Sequence, residues 1–255
     1  MSSCCPPGSE PPRAASPHVG EIKRFAQTDL YVAGPRSAKV GVLAFTNVFG
    51  WDSGRTKQDA DRLGEKGYAV VIVDVTKGDW MRMEDDIDAT MGPWLRRTDY
   101  DNLVKPSIDD AIAYLQQEAR AQQIVSYGYC YGGWIGARLS TVSPPLIKGH
   151  VSFHPSWVME KMLHGEDAVE KMTEAIKVPQ LLLSASNDPG FVRTGGSVER
   201  ILKANPDISS LSEVVDYEYV RHGWVNRGDL TDEKVKAAVG DAWERTYEFF
   251  EKIID

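Results

Sequence analysis

The run Ser126-Tyr127-Gly128-Tyr129-Cys130-Tyr131-Gly132-Gly133 sets one cysteine among glycines, after an apolar stretch and before a helical one. Gly-x-Cys-x-Gly is the nucleophile-elbow pattern with sulfur in place of the usual serine oxygen. Its glycines permit a tight strand-to-helix turn. Cys130 at the tip then faces a helix N-terminus, whose unsatisfied N–H groups favour a thiolate and a developing oxyanion. Two more reactive groups follow. Asp188 lies in Ala185-Ser186-Asn187-Asp188-Pro189, and His222 in Arg221-His222-Gly223-Trp224. An ordinary thiol, with a pKa of about 8.5, is only a few per cent ionised at neutral pH. His222 can take that proton and later return it to a leaving group, while Asp188 holds the other ring nitrogen and fixes the tautomer. A tetrahedral oxyanion also needs converging N–H donors. The amide of Tyr131 supplies one, and the loop Thr46-Asn47-Val48-Phe49-Gly50 should supply another from Val48.

These groups need strands to carry them. Apolar runs predict strands at Asp29–Val32, Val40–Phe45, Ala69–Val75, Ile124–Tyr127, His150–Phe153, Pro179–Ser184 and Val214–Val220. Several are continuous Val/Ile/Leu runs, as expected of strands buried on both faces of a mostly parallel sheet. Helical patterns alternate with them at Lys57–Lys66, Ser107–Arg120, Gly133–Ser140, Ala168–Ile176, Gly195–Lys203 and Thr231–Ile253, with Thr231 as the expected N-cap of the last. The alternation predicts an α/β fold, a doubly wound sheet flanked by helices. Cys130, Asp188 and His222 each fall just past a strand, where open parallel sheets bind ligands. Asp216, inside a strand pattern, is the weaker rival acid. His154, in Phe153-His154-Pro155-Ser156, also follows a strand, as a pocket residue or a structural turn residue.

Residues 1–17, rich in Pro, Ser and Gly, are expected to form a flexible segment before a single domain over 18–255. Residues 77–102, with Trp80, Met81, Met83, Met91 and Trp94, are long for a connection and are read as a lid-like insertion.

A chain of 255 residues with 42% hydrophobic content can bury a full core. Its net charge of -8 argues against a nucleic-acid surface, and no apolar run is long enough to span a bilayer. Cys4, Cys5 and Cys130 make no disulfide framework, and a thiol at an elbow must stay reduced, so a cytoplasmic location is expected. No metal site is expected, because no second Cys/His cluster accompanies Cys4 and Cys5.

The chain resembles the dienelactone hydrolase (carboxymethylenebutenolidase-like) family of the α/β-hydrolase fold. The resemblance is carried by Val48-Phe49-Gly50, the strand with Asp74, Gly128–Gly133, Asn187-Asp188-Pro189 and His222-Gly223-Trp224-Val225-Asn226-Arg227-Gly228-Asp229. The order nucleophile, acid, imidazole is that of the fold. The resemblance implies a Cys130-His222-Asp188 triad and cofactor-free hydrolysis of a small carboxylic ester or lactone through a thioester acyl-enzyme. No nucleic-acid or membrane partner is implied, and a monomer or weak homodimer is expected.

Two departures bear on substrate. Family members that open dienelactone carry a carboxylate where this chain has Asn47, which cannot accept a proton, so activation rests on His222, and Asn47 is instead a candidate hydrogen-bond donor to substrate or oxyanion. They also hold the substrate carboxylate with arginines. Here Lys77 and Arg227 are the candidate anion contacts, with Trp224 and His154 as further candidate lining. A thiol-dependent redox protein and a catalytically reduced hydrolase fold used for binding are the alternative readings of the same residues.

Overall fold

The computed structural model describes residues 5–82 and 84–254. Residues 1–4, which include Cys4, and Met83 and Asp255 lie outside them. The chain divides into two compact units, residues 12–126 and residues 1–11 with 127–255. Among the described residues there are eight strands and nine α-helices.

Residues 12–126 hold strands β1 (Glu21–Phe25), β2 (Thr28–Ala33), β3 (Val40–Phe45) and β4 (Ala69–Val73), in the order β1-β2-β4-β3. β4 reads Ala-Val-Val-Ile-Val and is buried at every position, as a β-branched run covered on both faces must be. It pairs parallel to β3, with Gly41 opposite Ala69, and antiparallel to β2. β1 is absent from the sequence expectation, for a physical reason. Its Glu-Ile-Lys-Arg-Phe is an edge strand, mostly exposed, and its charges blunt the open edge and hide the strand pattern. Helices α1 (Thr56–Glu65) and α3 (Lys105–Gln117) lie close to the predicted ranges.

The 77–102 stretch contains helix α2 (Ile87–Arg97), and a π-helical turn (Tyr100–Val104) begins within it. Asp86 caps α2 by accepting from the amides of Asp88 and Ala89, and Met91, Trp94 and Leu95 are buried on one face. Asp79 ties the helix to the preceding turn. Its carbonyl accepts from Trp94 Nε1 at 2.6 Å, and its carboxylate takes Arg97 Nε and Nη2 at 2.6 and 3.1 Å.

Strand β5 (Gln123–Tyr129) begins in the first unit and ends in the second. The second unit continues with α4 (Tyr131–Leu139), β6 (His150–Phe153), α5 (Val158–His164), α6 (Ala168–Ala175), β7 (Gln180–Ala185), α7 (Ser197–Ala204), β8 (Glu213–Tyr217), α8 (Trp224–Arg227) and α9 (Glu233–Ile253). β6, β7 and β8 pair in parallel in that order. β7 is buried throughout. α9 buries Val235, Val239, Ala242, Thr246, Phe249 and Ile253, and Trp243 on the same helix packs 5.5 Å from Tyr127 and 5.0 Å from Phe153 between ring centroids. Such a helix face anchors the sheet, each large apolar side chain contributing about 1.5–3 kcal/mol.

Two boundaries correct the sequence expectation. The N-cap of α9 is Asp232, not Thr231: its carboxylate accepts from the amides of Lys234 and Val235 at 2.8 and 3.4 Å. The Thr231 hydroxyl instead donates to Asp229, and an ionised acceptor interacts more favourably with the helix dipole than a hydroxyl does. β8 ends at Tyr217 and not Val220, giving way to a turn in which Tyr219 is exposed. No helix among the described residues is long and apolar enough to cross a membrane.

Candidate active site

The elbow is sharp. Cys130 directly follows β5 and caps α4 with φ 56° and ψ −113°, a conformation that L-residues rarely adopt. The fold holds it there from several sides. Its amide donates to Phe153 O at 3.0 Å, and its carbonyl accepts from the amides of Gly133 and Ser156 at 3.0 and 3.1 Å. Gly128 is required by closeness: a Cβ there would sit 2.2 Å from the Gly132 carbonyl group. The two glycines of the motif therefore let the strand and the first helical turn touch, and Cys130 is pushed to the tip.

Asp188 and His222 meet directly. Nδ1 of His222 lies 2.6 Å from Asp188 Oδ1, and both side chains are buried. A carboxylate only accepts, so Nδ1 carries the proton. The second carboxylate oxygen accepts from the Ala185 amide at 2.7 Å, which locks Asp188 onto the end of β7. The His222 amide donates to Asn187 Oδ1 at 2.7 Å, so the acid loop also grips the histidine backbone. Asp216 is engaged elsewhere, accepting from the Thr194 amide and pairing with Arg193.

The histidine and the thiol lie close together. A His222 ring nitrogen, Cys130 Sγ and Cys5 Sγ all lie within 4.8 Å of one another. Burial alone would depress the His222 pKa, but the Cys130 thiolate and the Asp188 carboxylate outweigh it and hold the ring well above the ordinary histidine value. Among the described residues, Cys5, Cys130 and His222 are also the group whose atoms converge closely enough for a thiophilic metal ion.

Two neighbours of the sulfur were not foreseen from sequence. Ser156 Oγ donates to Cys130 Sγ at 3.2 Å, and Cys5 Sγ lies 3.9 Å from it. Ser156 had a signal, since it follows β6 by three residues and strand ends build the site. Cys5 had none, because nothing local in sequence says where a Pro-rich terminus lies. That segment runs along the acid and histidine loops: Pro7 O accepts from Asn187 Nδ2 at 3.1 Å, and the Glu10 amide donates to His222 O at 2.7 Å.

His154 is fully buried with φ 39°, its ring 4.8 Å from His222 and stacked at 6.0 Å on Tyr129. Burial, with the charge of His222, pushes its pKa well below the usual range, so it is neutral. Arg227 is buried in α8, and a Cβ at Gly223 would meet its guanidinium at 2.1 Å. With φ 91° at Gly223, this explains the His-Gly pair: only glycine accepts both the backbone angle and the arginine above it. Trp224 is buried against Tyr217 at 4.6 Å.

Tyr131 is the buried first residue of α4, and the other predicted residues, Asn47, Val48 and Lys77, lie in the 12–126 unit. Asn47 is buried, with Oδ1 accepting from the Phe49 amide at 2.9 Å and Nδ2 donating to Ser53 Oγ at 3.0 Å. Val48 is buried and its carbonyl accepts from Met81. Lys77 is exposed, with φ 53°. Asp74 accepts from Thr76 and from Trp80 Nε1, closing its own turn, and burial raises its pKa. A cleft of about 460 Å³ lined by Val19, Gly34, Arg36, Asp61 and Tyr114 lies within this unit and contains none of Cys130, Asp188 and His222.

Residues 28–254 match the dienelactone hydrolase family. The chain is 25% identical over 258 residues to the hydrolase tropI of Talaromyces stipitatus, covering 97% of this chain and 94% of that protein. It is 26% identical over 140 residues to the carboxymethylenebutenolidase homolog of Rattus norvegicus, covering 51% of this chain and 54% of that one. Among solved structures, m3DLH superposes with a TM-score of 0.67 at 17% identity, over 93% of this chain and 99% of its own. A thermophilic esterase of Thermogutta terrifontis does so with a TM-score of 0.59 at 15% identity, over 90% and 94%. At such identities the structural likeness speaks for the fold. Matched over most of its length, the chain belongs to the dienelactone hydrolase family and is a hydrolase of the α/β-hydrolase fold.

Proposed function

We propose that the protein hydrolyses a small carboxylic ester or lactone through a thioester at Cys130, with His222 and Asp188 completing the triad. The observation that carries this reading is the 2.6 Å Nδ1 to Oδ1 contact on one side of His222, with the Cys130 sulfur within 4.8 Å of a ring nitrogen. Catalytic hydrogen bonds in free enzymes are often long and tighten with substrate bound.

In this reading the Cys130 thiolate adds to the carbonyl carbon and charge moves to the carbonyl oxygen. The Tyr131 amide, at the start of α4, stabilises that oxyanion together with the helix dipole. The intermediate collapses, the C–O bond to the leaving group breaks, and the His222 imidazolium protonates the departing alkoxide. Neutral His222 then takes a proton from water, whose oxygen attacks the thioester. Collapse expels the Cys130 thiolate and frees the acid. Asp188 keeps the ring oriented and stabilises its charged form throughout.

The test is a panel of small lactones, aryl esters and thioesters, comparing wild type with Cys130→Ala. Turnover by wild type, with a substrate-sized mass adduct on Cys130, supports the reading. A Cys130→Ala variant as active as wild type sinks it.

A further inference from the structure

Hydrolysis leaves Cys5 without a task, yet its sulfur stands 3.9 Å from Cys130 Sγ although 125 residues separate them in sequence. The segment that carries it is held on both loops of the site. A turn closes through the Ser9 amide and hydroxyl on Pro6 O, and contacts from Asn187 to Pro7 and from Glu10 to His222 fix the chain just beyond it. Cys5 is half-buried and Cys130 fully buried. A disulfide needs sulfurs about 2.05 Å apart, so closing the gap takes about 1.9 Å of side-chain rotation and local adjustment.

We propose that Cys5 is the resolving thiol of Cys130, and that a hydroperoxide converts the two into a reversible disulfide. The Cys130 thiolate attacks one peroxide oxygen. An S–O bond forms, the O–O bond breaks, and hydroxide leaves to take the proton held by His222, giving water. Cys130 is now a sulfenic acid. The Cys5 sulfur attacks it, an S–S bond forms, the S–O bond breaks, and the departing hydroxide takes the Cys5 proton as a second water. Two thiols lose two electrons, and one hydrogen peroxide becomes two waters. Cys130 is thereby withdrawn from acyl chemistry and protected from sulfinic acid, which thiol reductants do not reverse. This step shares its sulfur with the hydrolytic reading but is read by mass, so that either one can fail alone.

The experiment treats the reduced full-length chain with hydrogen peroxide and maps its peptides without reductant. Wild type should lose two hydrogens, yield a peptide joining the N-terminus to Cys130, and return to both thiols with dithiothreitol. Cys5→Ser should instead add two oxygens at Cys130 and resist the reductant, leaving recoverable thiol at least about tenfold below wild type. Cys4→Ser should keep the cross-link. Over-oxidation of wild type as fast as Cys5→Ser would overturn the proposal. So would a cross-link that survives Cys5→Ser and disappears in Cys4→Ser.

Discussion

The loop after β3 and the loops after β5, β6, β7 and β8 all bury polar side chains at strand ends, but they engage them differently. In the first, Asn47 satisfies both ends of its amide within its own turn, on the Phe49 amide and the Ser53 hydroxyl. Asp74, after β4, does the same with Thr76 and Trp80. In the others, groups from separate elements converge: Cys130 from the elbow, Ser156 from the end of β6, Asp188 from β7 and His222 beyond β8. A self-satisfied polar group stabilises a turn and has little left to offer a reactant. A group whose partners arrive from other strands stays chemically poised, because no local rearrangement can satisfy it.

The largest test of that contrast is His222→Ala, which removes the proposed base of both half-reactions. We expect kcat/KM for a small aryl ester to fall by about 10³–10⁴-fold with the fold retained. A loss under tenfold would mean the convergent cluster is no more reactive than the Asn47 turn. Ser156→Ala removes the hydrogen bond to the Cys130 sulfur; for a thiolate acceptor the expected cost is about 1.5–3 kcal/mol, or roughly 10- to 100-fold in the iodoacetamide alkylation rate at neutral pH. An unchanged rate would show that Ser156 does not tune the thiolate.

Stability offers a third test. The folded-state pKa of His222 lies above its unfolded value of about 6.5, so its stabilising contribution is complete below that pH. The contribution fades as pH rises through the raised folded value. The gap in urea midpoint between wild type and His222→Gln should therefore narrow on the alkaline side. A gap that stays constant with pH would show that the imidazolium is not specially held.

The smallest effect is expected at Asn47. Asn47→Asp keeps the acceptor for the Phe49 amide and loses the donor to Ser53, at a cost of about 1 kcal/mol in stability. It should also shift the pH–rate profile. A profile and rate that do not move would place Asn47 outside the chemistry.

Much of the fold was legible because buried parallel strands announce themselves as β-branched runs such as Ala69–Val73 and Leu181–Leu183. The edge strand Glu21–Phe25 was hidden, since its charges serve solvent and not a core. Helix α2 was hidden by its setting: a charged stretch with Met91, Trp94 and Leu95 reads as helical only once those three share a buried face. At the site, Gly128 and Gly223 marked the two backbone positions where a side chain would collide, with Gly132 in one case and Arg227 in the other. Cys5 could not be read, because a Pro-rich segment has no periodicity to say what it lies against.

From its residues alone the chain determines a strand-and-helix alternation and which reactive side chains stand at strand ends, for both are local consequences of pattern and turn chemistry. Distance is another matter. That Ser156 touches the Cys130 sulfur, that Cys5 lies beside it and that His154 packs on His222 were decided by the tertiary structure, because each contact joins segments whose meeting depends on how the whole core packs.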